Sequence, residues 1–233
     1  MTFEEELTSA TAPRDVVNAA GAWLGDALAS AGFGWVPSSR RLERRLGGLQ
    51  HQVHLQPSRY NRAGQLIKVG TMLNVREAAL RDWRRAHRAS ALSDDDLICA
   101  HLLGYASGRS GGYLYGSAED GDIDLTEPAT RKRRIEAFTA MFREAVLPWF
   151  DEASNPELIV ASRAGDCTNS PTALVEWLAS RSRPELIDAY ARRFLARTPP
   201  RNTATTPASP PLDPGRPTQR YRAATLPRCW AGQ

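Results

Sequence analysis

Residues 50–61 read QHQVHLQPSRYN, and their spacing defines a surface chemistry. On a strand alternate side chains share a face, so Val53 and Leu55 point one way. Gln50, Gln52, His54, Gln56 and Ser58 point the other way, with Arg59 and Tyr60 at the end. Amides both donate and accept hydrogen bonds, a guanidinium offers a planar fork of donors, and a tyrosine adds an aromatic body with a polar tip. Such groups give directional contacts at modest desolvation cost, as in recognition of another polypeptide. Gln52, His54, Gln56, Ser58, Arg59 and Tyr60 are therefore the expected binding residues, with a protein or peptide as partner.

The same stretch is a poor metal site. His51 and His54 are three apart, which sends them to opposite faces of a regular strand. DGDIDL at 120–125 spaces Asp120, Asp122 and Asp124 like the first ligands of a calcium loop. Leu125 then stands where that loop needs glycine, and Arg131 where it needs a bidentate glutamate. GRSGGYLYGS lacks the lysine and the strand–loop–helix frame of a phosphate loop, so its glycines are expected to serve a hairpin. His87 and His101 stand apart, with no local signature of an orienting carboxylate and a nucleophile. No catalytic residue, metal or cofactor is assigned. An enzyme built around His54 and Arg59 stays open, since catalytic groups assemble from distant sequence. RKRR at 131–134 places four cations near a helix N-terminus, against the helix dipole; it reads either as a locally neutralised face or as a docking patch for an acidic partner.

The 233 residues carry a net charge of +4, with 30 basic residues of which only Lys68 and Lys132 are lysine. That arginine skew is the usual mark of a GC-rich genome. The charge is uneven: residues 34–90 hold 12 basic and 3 acidic residues, +9, leaving −5 elsewhere. An alternative reading follows, single-stranded nucleic-acid binding through this segment with Tyr60 or Trp35 as stacking platforms. The start, MTFEEELTSATAP, has neither a basic region nor an apolar core, and no run approaches the roughly 20 apolar residues of a membrane span. Three separated cysteines, Cys99, Cys167 and Cys229, argue against a disulfide framework. The expected setting is the cytoplasm, away from the membrane.

Positioning these groups requires a sheet and its cover. Residues 1–12 are expected to be flexible. Pro13 to Ala31 has Pro in its first turn, Gly32 as a stop, and Val16, Val17, Ala20, Leu24, Ala27, Leu28 and Ala31 in one stripe. Gly21 and Gly25 within it permit close packing by a neighbour. Three strands are expected at Trp35–Leu46, Leu49–Ser58 and Leu66–Val75, separated by the Gly47-Gly48 turn and the loop 61–65. In the third, Ile67, Val69, Thr71, Leu73 and Val75 alternate with Lys68, Gly70, Met72 and Asn74. Helices are expected at 77–87, from an N-cap at Ser93, and from a cap at Thr126 to a stop at Pro148. The segment 120–125 reads as a turn or short strand. A helical hairpin follows at 172–197, built on Trp177, Leu178, Leu186, Ile187, Tyr190 and Phe194. Residues 199–233 hold 8 of the 16 prolines, so 198–233 is expected to be disordered. The fold class is α+β: a small antiparallel meander covered on one face by helices, in one domain over 13–197.

With these elements in place, three stretches carry a resemblance: LASAGFGWVPSSRRLERR, VHLQPSRYNRAGQLIKVGTMLNV and AVLPWFDEASNPELIVA. They are similar to the helix-to-basic-strand, the Gln–x–Ser–Arg/Lys–Tyr strand and the Leu-Pro helix end of the bacterial domain of unknown function family forty-three-zero-four. The resemblance spans residues 20–162. It implies a fold without a mechanism, and draws attention to Gln56, Ser58, Arg59 and Tyr60. Pro57 departs from the pattern, and its missing N–H implies a strand edge or a bulge there.

Overall fold

A computed structural model describes residues 2–88, 91, 93–108, 122–166 and 171–197. The Gly-rich stretch expected as a hairpin and the proline-rich tail lie outside them. The fold is α+β, as its sequence pattern implies. Strands β1 (Gly34–Val36), β2 (Arg41–Leu46), β3 (Leu49–Pro57), β4 (Lys68–Glu77) and β5 (Leu97–Leu102) run in chain order and antiparallel. A two-residue strand, β6 (Ile123–Asp124), pairs with the start of β4.

Chain-order pairing follows from short connections. Gly47 and Gly48 both adopt positive φ, 57° and 88°, and join β2 to β3 in a two-residue turn with Leu46 opposite Leu49. Two consecutive left-handed residues match the twist of the flanking strands, and glycine takes that conformation without a Cβ clash. The register then aligns Leu42, Val53, Leu73 and His101 across one face, and Glu43, Gln52, Asn74 and Ala100 across the other.

Helices cover the aliphatic face. α1 (Phe3–Ser9) is closed by a reciprocal cap between Thr2 and Glu5, and it buries Leu7 completely. The first twelve residues thus carry a docked helix where flexibility was expected. α2 (Pro13–Ala27) passes into a 3-10 turn, Ala29–Ala31, and stops at Gly32 with φ 83°. Its Val16, Val17, Ala20, Leu24 and Leu28 meet the core that contains Leu42, Val53, Leu55 and Leu73. A Cβ on Gly21 would lie 2.4 Å from the Trp35 ring, and one on Gly25 2.9 Å from the Trp35 backbone nitrogen. Both glycines exist for this approach.

Several expectations are corrected. Trp35–Leu46 is two strands, because a 3-10 turn at Pro37–Ser39 and a left-handed Arg40 (φ 48°) interrupt it. The segment after Ser93 is strand β5 followed by the short helix α4 (Leu103–Ala106). Its Ile98 and Cys99 are fully buried, and pairing with β4 overrides the cap-like aspartates. Thr126 caps nothing; its hydroxyl accepts the Ile67 N–H, steadying the entry to β4. The helix α5 (Arg131–Met141) does not stop at Pro148. It runs through a π turn, Phe142–Val146, into α6 (Leu147–Ser154), where Pro148 falls in a first turn. After α7 (Pro156–Ile159) and α8 (Arg163–Asp166), the expected hairpin is α9 (Pro171–Ser180) with α10 (Pro184–Arg197). α3 (Ala78–Ala86) follows β4 directly.

Arg131, first of the RKRR run, is 2% exposed. Its guanidinium donates to the carbonyls of Leu125, Leu7 and Ala10 at 2.7–2.8 Å, tying α1 to α5. It is an internal tie, neither a solvated cation nor a docking group. Lys132 pairs with Glu4. Among the described residues no helix is long and apolar enough to cross a membrane.

Candidate functional site, the polar sheet face

The two faces of β3 use their histidines differently. His51 lies under the helices, stacked on Phe150 with ring centroids 4.6 Å apart. Its Nδ1 accepts from Arg44 Nε at 2.8 Å, so the neutral ring carries its proton on Nε2, which meets Ser154 Oγ at 2.7 Å. Burial, then the Arg44 charge, lowers its pKa to about 4. Both ring nitrogens are satisfied, and His51 is scaffold.

His54 faces the opposite way, as odd spacing requires, on the face formed by Arg41, Glu43 and Arg45 of β2, Gln50, Gln52, His54 and Gln56 of β3, and Met72, Asn74 and Arg76 of β4. Burial, then the cations of Arg41 and Arg76, lowers its pKa to about 4 against the opposing pull of Glu43. At neutral pH it is uncharged. Its Nε2 lies 3.2 Å from Gln52 Oε1, an acceptor, so Nε2 is the donor and Nδ1 is left as an acceptor.

Charges on this face cancel locally. Glu43 lies within 2.7 Å of Arg41 and 3.3 Å of Arg45, and Arg76 contacts Asp96 at 2.5 Å. Burial raises the Glu43 carboxyl, but Gln50, Arg41 and Arg45 outweigh it and hold the group below its usual range. What remains unspent is amide capacity. Asn74, 7% exposed, leaves its Oδ1 without a hydrogen-bond partner. Gln56 is half-buried, and its Nε2 reaches only the Met72 sulfur at 4.0 Å, a weak contact.

The six expected residues divide into two groups. Gln52, His54 and Gln56 share this face, although Gln52 is 3% exposed and already accepts from Arg76 Nε at 3.2 Å. Gln52 is thus an internal brace of the face instead of an outward-reaching contact. Ser58 is buried, and its hydroxyl accepts the Tyr60 N–H at 3.2 Å, which holds the turn after β3. Arg59 and Tyr60 lie exposed in that turn, the guanidinium 4.7 Å from the ring centroid. Pro57 ends β3. The Leu55 N–H points toward Arg40, and the Pro57 nitrogen two residues on faces the same side, beyond the β2 ladder. Its missing N–H therefore removes no ladder bond, and the strand is an edge only locally.

Asn74 and Arg76 were absent from the expected set. The signal existed: Asn74 stands on the polar side of its strand, and that strand pairs with β3 so that Asn74 lies opposite Gln52 and Arg76 opposite Gln50. Trp35, expected as a stacking platform, is committed to Gly21 and Gly25. No group of three or more potential metal ligands occurs among the described residues. Comparison of the chain with family models, with curated proteins and with solved structures returns no match.

Proposed function

We propose that the protein is a non-catalytic binding module that takes a segment of another polypeptide across the polar sheet face. The carrying observation is that His54 and Gln56, both with some solvent access, keep hydrogen-bonding capacity the fold does not use, in a face whose charges are already matched. A peptide backbone presents one donor and one acceptor per residue. His54 Nδ1 offers an acceptor and Gln56 Nε2 a donor, the mixture such a ligand needs. Membership of the uncharacterised family that the sequence resembles belongs to the same proposal and adds no activity to it.

A phage-displayed peptide library panned on the intact chain tests this reading. Selected peptides should bind at least tenfold more weakly to Gln56→Arg/Met72→Arg, which places bulk and charge on the face while both positions keep some solvent access. Failure to enrich any peptide, or equal binding to the variant, overturns the reading. Tight binding of a single-stranded oligonucleotide with steep salt dependence, and no peptide, overturns it in favour of nucleic acid.

A further inference from the structure

At the Gly47-Gly48 end of the sheet, six residues along β3 from Gln56 and so about 20 Å away, lies a depression of about 430 Å³. Its lining includes Arg45, Gln50, Arg76, Glu77 and Asp96 of the sheet region, and Ala78 and Arg81 of α3. The volume falls within the range of about 300–1,000 Å³ usual for small-molecule sites.

Three independent features of this depression favour an anion. Arginines reach it from three elements, against two carboxylates, one matched inside the depression and one by partners outside it. Asp96 bonds Arg76, while Glu77 accepts from Trp177 Nε1 at 2.7 Å and pairs with Arg181. Second, α3 opens here: Ala78 is its first residue, and the N-cap, Glu77, makes no side-chain capping bond. First-turn N–H groups lack partners within a helix, and the dipole there favours negative charge. Third, Arg81 lines the depression and makes no hydrogen bond or ion pair among the described residues, so its guanidinium brings it an unmatched positive charge.

We propose that this depression binds a small oxyanion, the phosphate or carboxylate group of a metabolite, between Arg81, Arg76 and the first turn of α3. Planar guanidinium forks suit both groups geometrically. The site shares Arg45, Gln50 and Arg76 with the far end of the polar face, but an anion there requires no peptide, so the proposal does not depend on the peptide-binding reading.

Isothermal titration of the full chain with inorganic phosphate, and separately with succinate, decides the matter at ionic strength held constant with chloride. Saturable binding of at least one anion is expected, weakened at least tenfold in Arg81→Ala; alanine suits a helix, so the fold should persist. The tighter of the two identifies the oxyanion class. Arg81→Lys, which keeps the charge but loses the fork, should weaken binding at least threefold, and it serves if the alanine variant fails to fold. Gln56→Arg/Met72→Arg should bind the anion as wild type does. No saturable binding of either anion, or wild-type affinity in the folded Arg81 variant, overturns the assignment.

Discussion

Asn74→Val should make the protein more stable. Asn74 lies in the middle of the sheet, opposite Gln52 on one side and Ala100 on the other, and its Oδ1 is buried without a partner. A buried unsatisfied polar group destabilises by about 1–3 kcal/mol. Valine removes that group and favours a strand. It orphans no neighbour, because the Gln52 carbonyl is already bonded to Arg76. A net gain of about 1–2 kcal/mol is expected after imperfect packing of the new methyl groups. At about 2–4 °C per kcal/mol for a chain of this size, the thermal midpoint should rise by roughly 2–8 °C. Circular dichroism with tryptophan fluorescence measures this, and agreement of the two probes checks two-state behaviour. A midpoint that falls would mean that the Asn74 amide is bonded in the folded state, and the argument for an unspent acceptor collapses.

Acid should destabilise the protein earlier than its carboxylates alone would. His51 and His54 titrate near 4 and His101 near 3 when folded, against about 6.5 unfolded. Above pH 6.5 both states are neutral and these residues add no pH dependence. Below it only the unfolded chain takes up protons, so stability falls from about pH 6.5 to about pH 4, and for His101 to about pH 3. His51 and His101, nearly inaccessible, should each contribute a slope of about 1.4 kcal/mol per pH unit within that window. Urea titrations at pH 7, 6 and 5 should show midpoints that drop, and a flat series would contradict the burial of these rings. Gly25→Ala should destabilise despite alanine's helix propensity, worth about 1 kcal/mol, since the new Cβ would lie 2.9 Å from the Trp35 backbone nitrogen. A raised midpoint would show that β1 yields easily.

The β2–β4 meander was legible because period-two alternation and a diglycine turn are local signals that tertiary structure reinforces. The strand at 97–102 was not. SDDD resembles a helix start, but Asp95 is drawn off as a partner of Arg84, and Asp96 as a partner of Arg76. Those pairings connect residues 11 and 20 apart, and no local pattern encodes them. RKRR departs from a solvated, neutralised face at Arg131 for a related reason, while Lys132 and Arg133 are exposed and Lys132 pairs with Glu4. Its first arginine satisfies carbonyls more than 120 residues away in α1, so its apparent conflict with a helix dipole is resolved by non-local acceptors. Pro148 misled because a π turn just before it admits a proline within a continuing helical course.

The candidate site was half legible, and the two histidines of one strand show why. His51 and His54 share a residue type, a strand and a depressed pKa near 4. Alternation separates their faces, but it does not say which histidine is already occupied. His51 uses both ring nitrogens, on Arg44 and Ser154, residues 7 and 103 positions away in the sequence. His54 uses one, and the other faces the side where Asn74 also has an oxygen to spare. The binding proposed for the polar face therefore rests on the hydrogen-bonding capacity left over after folding, a quantity fixed by register and by distant partners. Gln52 makes the same point from the other direction. Its place in the alternation matches that of Gln56, yet the guanidinium of Arg76, 24 residues away, has already taken its oxygen.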